Sequence, residues 1–278
     1  MGHKNRIAAF DIDDTLYGGS LFLDLVAHMV ERKMVSSRVI EEANGHRTAW
    51  EHRQGSYDAY VGEQVRVFGD GHLRDVSEAD VIAVAKTLCE RHRHKQFIFT
   101  RELLRTLHDL HYRTIALSGS PKHIVDVFAR EWGFHAAVGT EYEIVNGFFT
   151  GNEANTKLHL LIKHEHFRRL SRELACDEDG SIAIGNSGSD LPMLLEARYP
   201  IAFCPQPSLE REARLREIPV VKEVGETITI LQTMITGHCS PIGGRGFVEV
   251  GLRHMLPPDV AVALFHRLQN AGASVSLG

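Results

Sequence analysis

Two aspartates near the beginning of the sequence, Asp11 and Asp13, follow directly on the apolar run Ile7-Ala8-Ala9-Phe10. Such a run reads as a buried strand. Two like charges at its end repel one another and resist desolvation unless a cation or a reaction uses them. By the period of two along a strand both carboxylates point the same way, and if the strand ends between them one can attack while the other moves protons. Ser118, with the backbone N–H groups of Gly119 and Ser120 at a helix start, offers an anion cradle. Lys157 supplies a fixed positive charge, and Asn186 and Asp190 supply further oxygen ligands. Carboxylates and an amide oxygen around one hard cation suit Mg²⁺ rather than zinc. A nucleophilic aspartate, an anion cradle, a lysine and Mg²⁺ together describe phosphoryl transfer through an aspartyl-phosphate.

These residues need elements that bring them together. Thr114-Ile115-Ala116-Leu117 ends in Ser118-Gly119-Ser120-Pro121, Ser181-Ile182-Ala183-Ile184 ends in Gly185-Asn186, and Ile201-Ala202-Phe203 ends in Cys204-Pro205. Short apolar runs separated by helical stretches predict buried parallel strands, and ligands of such sheets bind outside the carboxyl ends of the strands. Pro121 suits the first turn of a helix with Ser120 as its N-cap. Residues 138–141 and 143–145, then Asn146-Gly147, then 148–150 read as a hairpin with a two-residue turn. Residues 21–30 and 76–88 have helical apolar spacing, the latter with Val81, Val84, Ala85 and Leu88 on one stripe, and a helix is expected around 101–110. Residues 45–66 are mostly helical in tone, and Lys157 opens another helical stretch with Leu158, Leu161 and Ile162 on one side. Near the C-terminus 237–246 is loop-like, and its Gly243-Gly244-Arg245-Gly246 is read as a connection. Residues 259–268 form a short amphipathic pattern with Val260, Leu264 and Leu268 aligned.

The order Asp-x-Asp-x-Thr, Ser-Gly-Ser, Lys, Gly-Asn-x-x-x-Asp resembles the haloacid dehalogenase superfamily of phosphohydrolases, over about residues 7–221. The helical block between the first two motifs resembles the cap of the subgroup that includes phosphoserine phosphatase. The resemblance implies Asp11 as nucleophile, Asp13 as general acid/base, and Ser118 and Lys157 as phosphate-holding groups. It implies Mg²⁺ between Asp11, the Asp13 backbone carbonyl, Asn186 and Asp190. Where the family usually carries an aspartate this chain has Asn186, which removes one negative charge and lowers the expected metal affinity. Phosphoserine recognition in the family uses an acid shortly after the first motif. Leu16-Tyr17-Gly18-Gly19-Ser20 contains none, which disfavours phosphoserine. Tyr17, Arg47 and Arg53 are read as structural or solvated.

The expected architecture is an α/β, Rossmann-like, doubly wound parallel sheet with an inserted helical cap. The catalytic core covers 1–17 and 96–236, the cap 18–95, and 237–278 is an extension of unknown role. Its 278 residues, 43% hydrophobic and 24% charged, fit a soluble globular protein. A formal charge of −5 speaks against nucleic-acid and membrane partners. Four isolated cysteines and the lack of a signal pattern point to the cytoplasm. The 17 histidines include His92 and His94 in a charged run read as a solvated helix end. The activity expected is Mg²⁺-dependent hydrolysis of a small phosphorylated metabolite. The alternatives are a phosphate sensor or scaffold that has lost turnover, and transfer to an acceptor other than water.

Overall fold

In a computed structural model, residues 5–42, 60, 62–63, 65–66, 68–152, 159, 162–231 and 251–277 are described. Lys157, Arg47, Arg53, the 243–246 glycines and most of 45–66 lie outside them. The chain divides into two units. The first comprises Met1–Gly18, Gln96–Ile115 and His164–Gly278, the second Gly19–Lys95 and Ala116–Lys163.

In the first unit β1 (Asn5–Phe10) is apolar over its last four residues because it is a central strand, and Ile7 to Phe10 are wholly buried. The other strands of this unit are β6 (Cys176–Gly185), β7 (Tyr199–Phe203), β8 (Val220–Val224), β9 (Thr227–Leu231) and β10 (Ser274–Leu277). They lie in the order β10–β9–β8–β7–β6–β1, with β2 (Arg113–Pro121), which begins in this unit, on the other side of β1. Pairing is parallel from β1 through β8, antiparallel between β8 and β9, and parallel again between β9 and β10. The chain leaves β1 for β2 on one side and later returns as β6 on the other. The strand order therefore reverses between β1 and β6, and a crevice opens at such a switch point.

Helices α3 (Ile98–Asp109), α5 (Lys163–Glu173), α6 (Leu191–Glu196), α7 (Pro207–Leu215) and α8 (Pro258–Asn270) accompany these strands. The C-terminal segment is integral to this unit. Val260, Leu264 and Leu268 are buried on one face of α8, and the chain then adds β10 to the sheet. Arg6 at the start of β1 bonds Asp259 at 3.1 and 2.6 Å and lies 4.3 Å above the Tyr112 ring. Tyr112 in turn donates to Gly180 O.

The second unit contains α1 (Leu21–Glu31), α2 (Glu78–Arg91), α4 (Lys122–Glu131), the end of β2 with β3 (Ala136–Thr140) beside it, and a hairpin of β4 (Ile144–Val145) and β5 (Phe148–Phe149). Ser20 and Ser77 cap α1 and α2 by accepting from Leu23 N and Asp80 N. The stripe Val81, Val84, Ala85 and Leu88 is buried as its spacing implies. Phe22, Phe68, Tyr142 and Phe149 form a chain of edge-on rings at 5.4, 6.0 and 6.3 Å. His92 caps the end of α2, and its Nδ1 and Lys95 Nζ lie 3.3 and 2.8 Å from Asp24 Oδ2.

Three expectations are corrected. β1 stops at Phe10, so Asp11 and Asp13 sit on a turn and the two-residue alternation of a strand does not orient them. β2 runs on through Pro121, which itself holds the N-cap position of α4, so Ser120 is not the cap. Residues 138–140 belong to β3; the hairpin is only Ile144–Val145 with Phe148–Phe149, closed by Asn146 (φ 52°) and Gly147 (φ 82°), the positive pair that a type I′ turn demands.

Leu264 is wholly buried in α8. Leu264→Ala should destabilise the first unit by about 2–5 kcal/mol, read as a shifted urea midpoint. A main transition that stays in place while α8 alone melts would show that the helix is not part of this unit's cooperative core.

Candidate active site

The crevice of the first unit opens where β1 and β6 end. Asp11 remains tied to β6 one residue past its own strand, its N–H donating to Ile184 O at 2.9 Å. The chain then folds tightly over itself. The N–H groups of Thr15, Leu16 and Tyr17 all converge on Ile12 O, and Asp14 takes a positive φ of 54° to allow it. Asp11 is 4% exposed, and its Oδ2 accepts from Thr15 Oγ1 at 2.9 Å. Thr15 is positioned by α3, whose Thr100 Oγ1 donates to Thr15 O at 2.9 Å, and Phe97 N donates to Leu16 O. Tyr17 is a core residue, 1% exposed.

The start of α3 is itself anchored. Its N-cap, Phe97, has no side-chain acceptor, and Glu223 from β8 supplies one, taking Ile98 N at 2.7 Å and Phe99 N at 2.8 Å. A carboxylate suits the positive end of a helix. Burial nevertheless pushes the Glu223 carboxyl above its ordinary value, against the pull of the two N–H donors.

At the end of β6, Asp190 is wholly buried and holds the loop that carries Asn186. Its Oδ2 accepts from Asn186 N (3.0 Å), Ser187 N (2.9 Å) and Ser187 Oγ (3.0 Å). Gly185 must be glycine for this approach, since a Cβ there would stand 2.5 Å from Asp190 Cβ. Asn186 is 4% exposed, and its carbonyl accepts from Gln206 N at 2.8 Å.

Asp11, Asp13, Asn186 and Asp190 thus belong to the adjacent ends of β1 and β6. They offer hard oxygen donors, and among the described residues no three His, Cys, Asp or Glu side chains are grouped so as to hold a metal by themselves. That donor set fits Mg²⁺, which takes one or two carboxylates and keeps waters for its other positions. Asp190 reaches a cation only with an oxygen other than the Oδ2 that binds the loop.

Ser118 and Gly119 lie in the second unit. Ser118 is 1% exposed, and its Oγ accepts from Ser120 N at 2.9 Å. The Ser120 N–H is therefore spent inside the loop, a correction to its expected part in the anion cradle. Thr140 Oγ1 on β3 fixes Gly119 O at 2.6 Å. Lys157 is outside the described residues. A different lysine stands out: Lys163, the first residue of α5, is 2% exposed and is the one buried lysine among the described residues. A buried ammonium is costly without negative partners, so its burial marks it. In the sequence only its place at a helix start, after the apolar Ile162, could have drawn attention to it.

The sequence profile of the haloacid dehalogenase-like hydrolases matches residues 8–195. The chain belongs to this family. Among curated relatives it is 26% identical over 208 residues to phosphoserine phosphatase SerB2 of Mycobacterium tuberculosis, covering 75% of this chain and 46% of that one. It is 29% identical over 108 residues to a phosphoserine phosphatase of Lactococcus lactis, covering 39% and 50%. The chain spans about half the length of these relatives. Among solved structures, a substrate-bound phosphoserine phosphatase superposes with TM-score 0.56 at 18% identity, covering 76% of this chain and 91% of that one. A protein of unknown function from Bordetella pertussis superposes with TM-score 0.64 at 15% identity, covering 78% and 98%. These likenesses establish the family's mostly parallel α/β fold.

Two measurements test the supports of this site. Asp190→Ala leaves two buried backbone N–H groups without their acceptor and should cost about 2–4 kcal/mol in urea unfolding, whereas an unchanged midpoint would mean that the loop stands without it. For Glu223 the folded carboxyl keeps its proton at pH values where the unfolded chain has lost it. Stability should therefore fall as pH rises from the unfolded value towards the folded one. In Glu223→Gln that falling segment, sought between about pH 4 and 7, should flatten.

Proposed function

We propose that this chain is a Mg²⁺-dependent phosphomonoesterase that works through an aspartyl-phosphate on Asp11. The observation that carries the reading is the placement of Asp11: a buried carboxylate at the switch point of a haloacid dehalogenase-like sheet, with one oxygen oriented by Thr15. A nucleophile must be held in one orientation to attack in line, and the Thr15–Thr100 relay holds this one.

Asp11 attacks the phosphorus of the substrate, and the ester oxygen leaves with a proton from Asp13. Asp13 then takes a proton from the water that displaces phosphate from Asp11, which regenerates the free carboxylate. Asp13 is partly exposed, as a group that exchanges protons with water needs to be. The side chains of Asp11, Asn186 and Asp190 and the Asp13 carbonyl would hold Mg²⁺, which supplies neutralisation of the phosphoryl charge when bound. Ser118 Oγ and the Gly119 N–H hold phosphoryl oxygens in the same proposal. The resemblance gives the lysine role to Lys157, whereas the burial of Lys163 supports Lys163 for it, because a water-excluded ammonium stabilises gathering charge more strongly than a solvated one.

The substrate in this reading is a small phosphomonoester other than phosphoserine. Ser20, at the end of the acid-free stretch, is spent as the cap of α1. Among the described residues Cys89, Cys176 and Cys204 are free thiols, which supports a reducing, cytoplasmic setting. No helix of the described residues is long and apolar enough to cross a membrane.

The test is phosphate release from a panel of small phosphomonoesters with and without Mg²⁺. Asp11→Asn should lower turnover about 10³-fold or more. Lys163→Met should lower it about 10²-fold or more, and Lys157→Met much less. No Mg²⁺-dependent release from any ester by the folded protein would sink the proposal, and the reverse ranking of the two lysines would return the role to Lys157.

A further inference from the structure

We propose that a notch between α3 and α8 is a second oxyanion site, separate from the crevice of Asp11, that binds a phosphate dianion. The notch is open, ≈ 300 Å³, and lined by Arg101, Glu102, Arg105, Arg267, Asn270 and Ala271. That size is at the lower end of small-ligand pockets. At its base one carboxylate oxygen, Glu102 Oε1, holds two guanidinium groups at once, Arg101 Nε at 2.9 Å and Arg105 Nη1 at 2.9 Å. Arg267 comes from α8, with Nη1 3.8 Å from Glu102 Oε2 and Nη2 bonded to Asp109.

A simple staple of α8 onto α3 would not be built this way. Arg267 alone reaches both acids, and Arg101 and Arg105 add like charges four residues apart on one helix, a repulsive arrangement. In the notch three guanidinium groups share the carboxylates of Glu102 and Asp109, while Glu223, which acts on Arg101 electrostatically, is engaged by the backbone N–H groups at the start of α3. Glu102 is sealed, with its side chain 5% exposed, while Arg101, Arg105 and Arg267 remain 26, 50 and 34% exposed. The buried acid thus fixes the three cations from below and leaves their outer edges facing water. Each guanidinium carries five N–H donors on three nitrogens. The Arg101 Nη groups and Arg105 Nη2 make no bond to any described residue, and neither does the Asn270 amide.

Oriented guanidinium groups with unused donors match the tetrahedral oxygens of phosphate. The end of α8 also faces the notch, and free carbonyls there would repel an anion. They are largely occupied: Arg267 O, Leu268 O and Gln269 O accept from Ala271 N, Ala273 N and Gly272 N. A phosphate dianion bonded to guanidinium groups of both helices ties α3 and α8 together. Arg267 lies beyond residues 8–195, so half of the notch comes from chain outside the family match.

The test is calorimetric titration of the full chain with inorganic phosphate and, separately, with phenylphosphonate. Wild type should bind in two components. Arg105→Gln, with a half-exposed side chain placed outside the catalytic machinery, should lose one component or weaken it about tenfold or more, with phosphomonoester turnover and thermal midpoint unchanged. Arg105→Glu should abolish that component, and raised salt should weaken it. The tighter of the two probes shows whether the natural occupant is free phosphate or a phosphorylated compound. Identical isotherms for wild type and both folded variants would overturn the proposal and leave the arginines a staple. Because the readout is a difference in binding at the notch, it stands or falls independently of whether the chain hydrolyses any ester.

Discussion

The structure depends on keeping two carboxylates, those of Asp11 and Asp190, away from bulk water at the ends of adjacent parallel strands. Water would otherwise solvate each of them, and a protein interior gives nothing in return unless donors are placed on the acid. Asp11 receives a threonine hydroxyl, Asp190 receives two amides and a serine hydroxyl. Around these bonds the neighbouring choices become intelligible. Gly185 is bare so that Asp190 can approach, Asp14 accepts a strained φ so that three amides can share Ile12 O, and Thr100 faces Thr15.

The same pattern recurs one layer out. Glu223 stands at the start of α3, which in turn steadies the turn of Asp11, so a residue of β8 influences Asp11 without touching it. Glu223 gives up favourable hydration for this position, as its raised carboxyl shows. A rigid support of this kind is what the in-line displacement proposed for Asp11 would need, since reacting groups held slightly out of place lose rate steeply.

Much of this was legible in the residues. The apolar stretches before Asp11 and Asn186 announce central strands, and the two acids that follow the first of them demand an explanation. Asn146-Gly147 announces a tight hairpin, and the stripe from Val81 to Leu88 a packed helix; all are local patterns, governed by side-chain periodicity and backbone preference. The misreadings have a common physical source. Ser120 looks like a cap, but β2 continues past it because β3 lies beside its end, and strand pairing overrides a local preference. Lys163 looks like any helix lysine, since burial is set by what the fold brings near it. Phe97 gives no hint that its helix is capped from a strand more than a hundred residues away. The closing helix carried the right spacing at Val260, Leu264 and Leu268, yet nothing local says which sheet its apolar face will cover.

One contact described above bears on how the chain acquires this shape. Arg6 and Asp259 are separated by 253 positions, and β10, which pairs with β9, follows α8 in the chain. Contacts of such long range close slowly, because the loop between them must be ordered first. During synthesis β1 emerges early and waits for β6, and its Arg6 waits longer still for α8. The segments of the second unit, Gly19–Lys95 and Ala116–Lys163, are by then long available to one another. The nascent protein therefore passes through a period in which the helical part can consolidate while β1 still lacks its β6 partner on one side. That interval is when an apolar, hydrogen-bond-hungry segment is most exposed to chaperones and to aggregation.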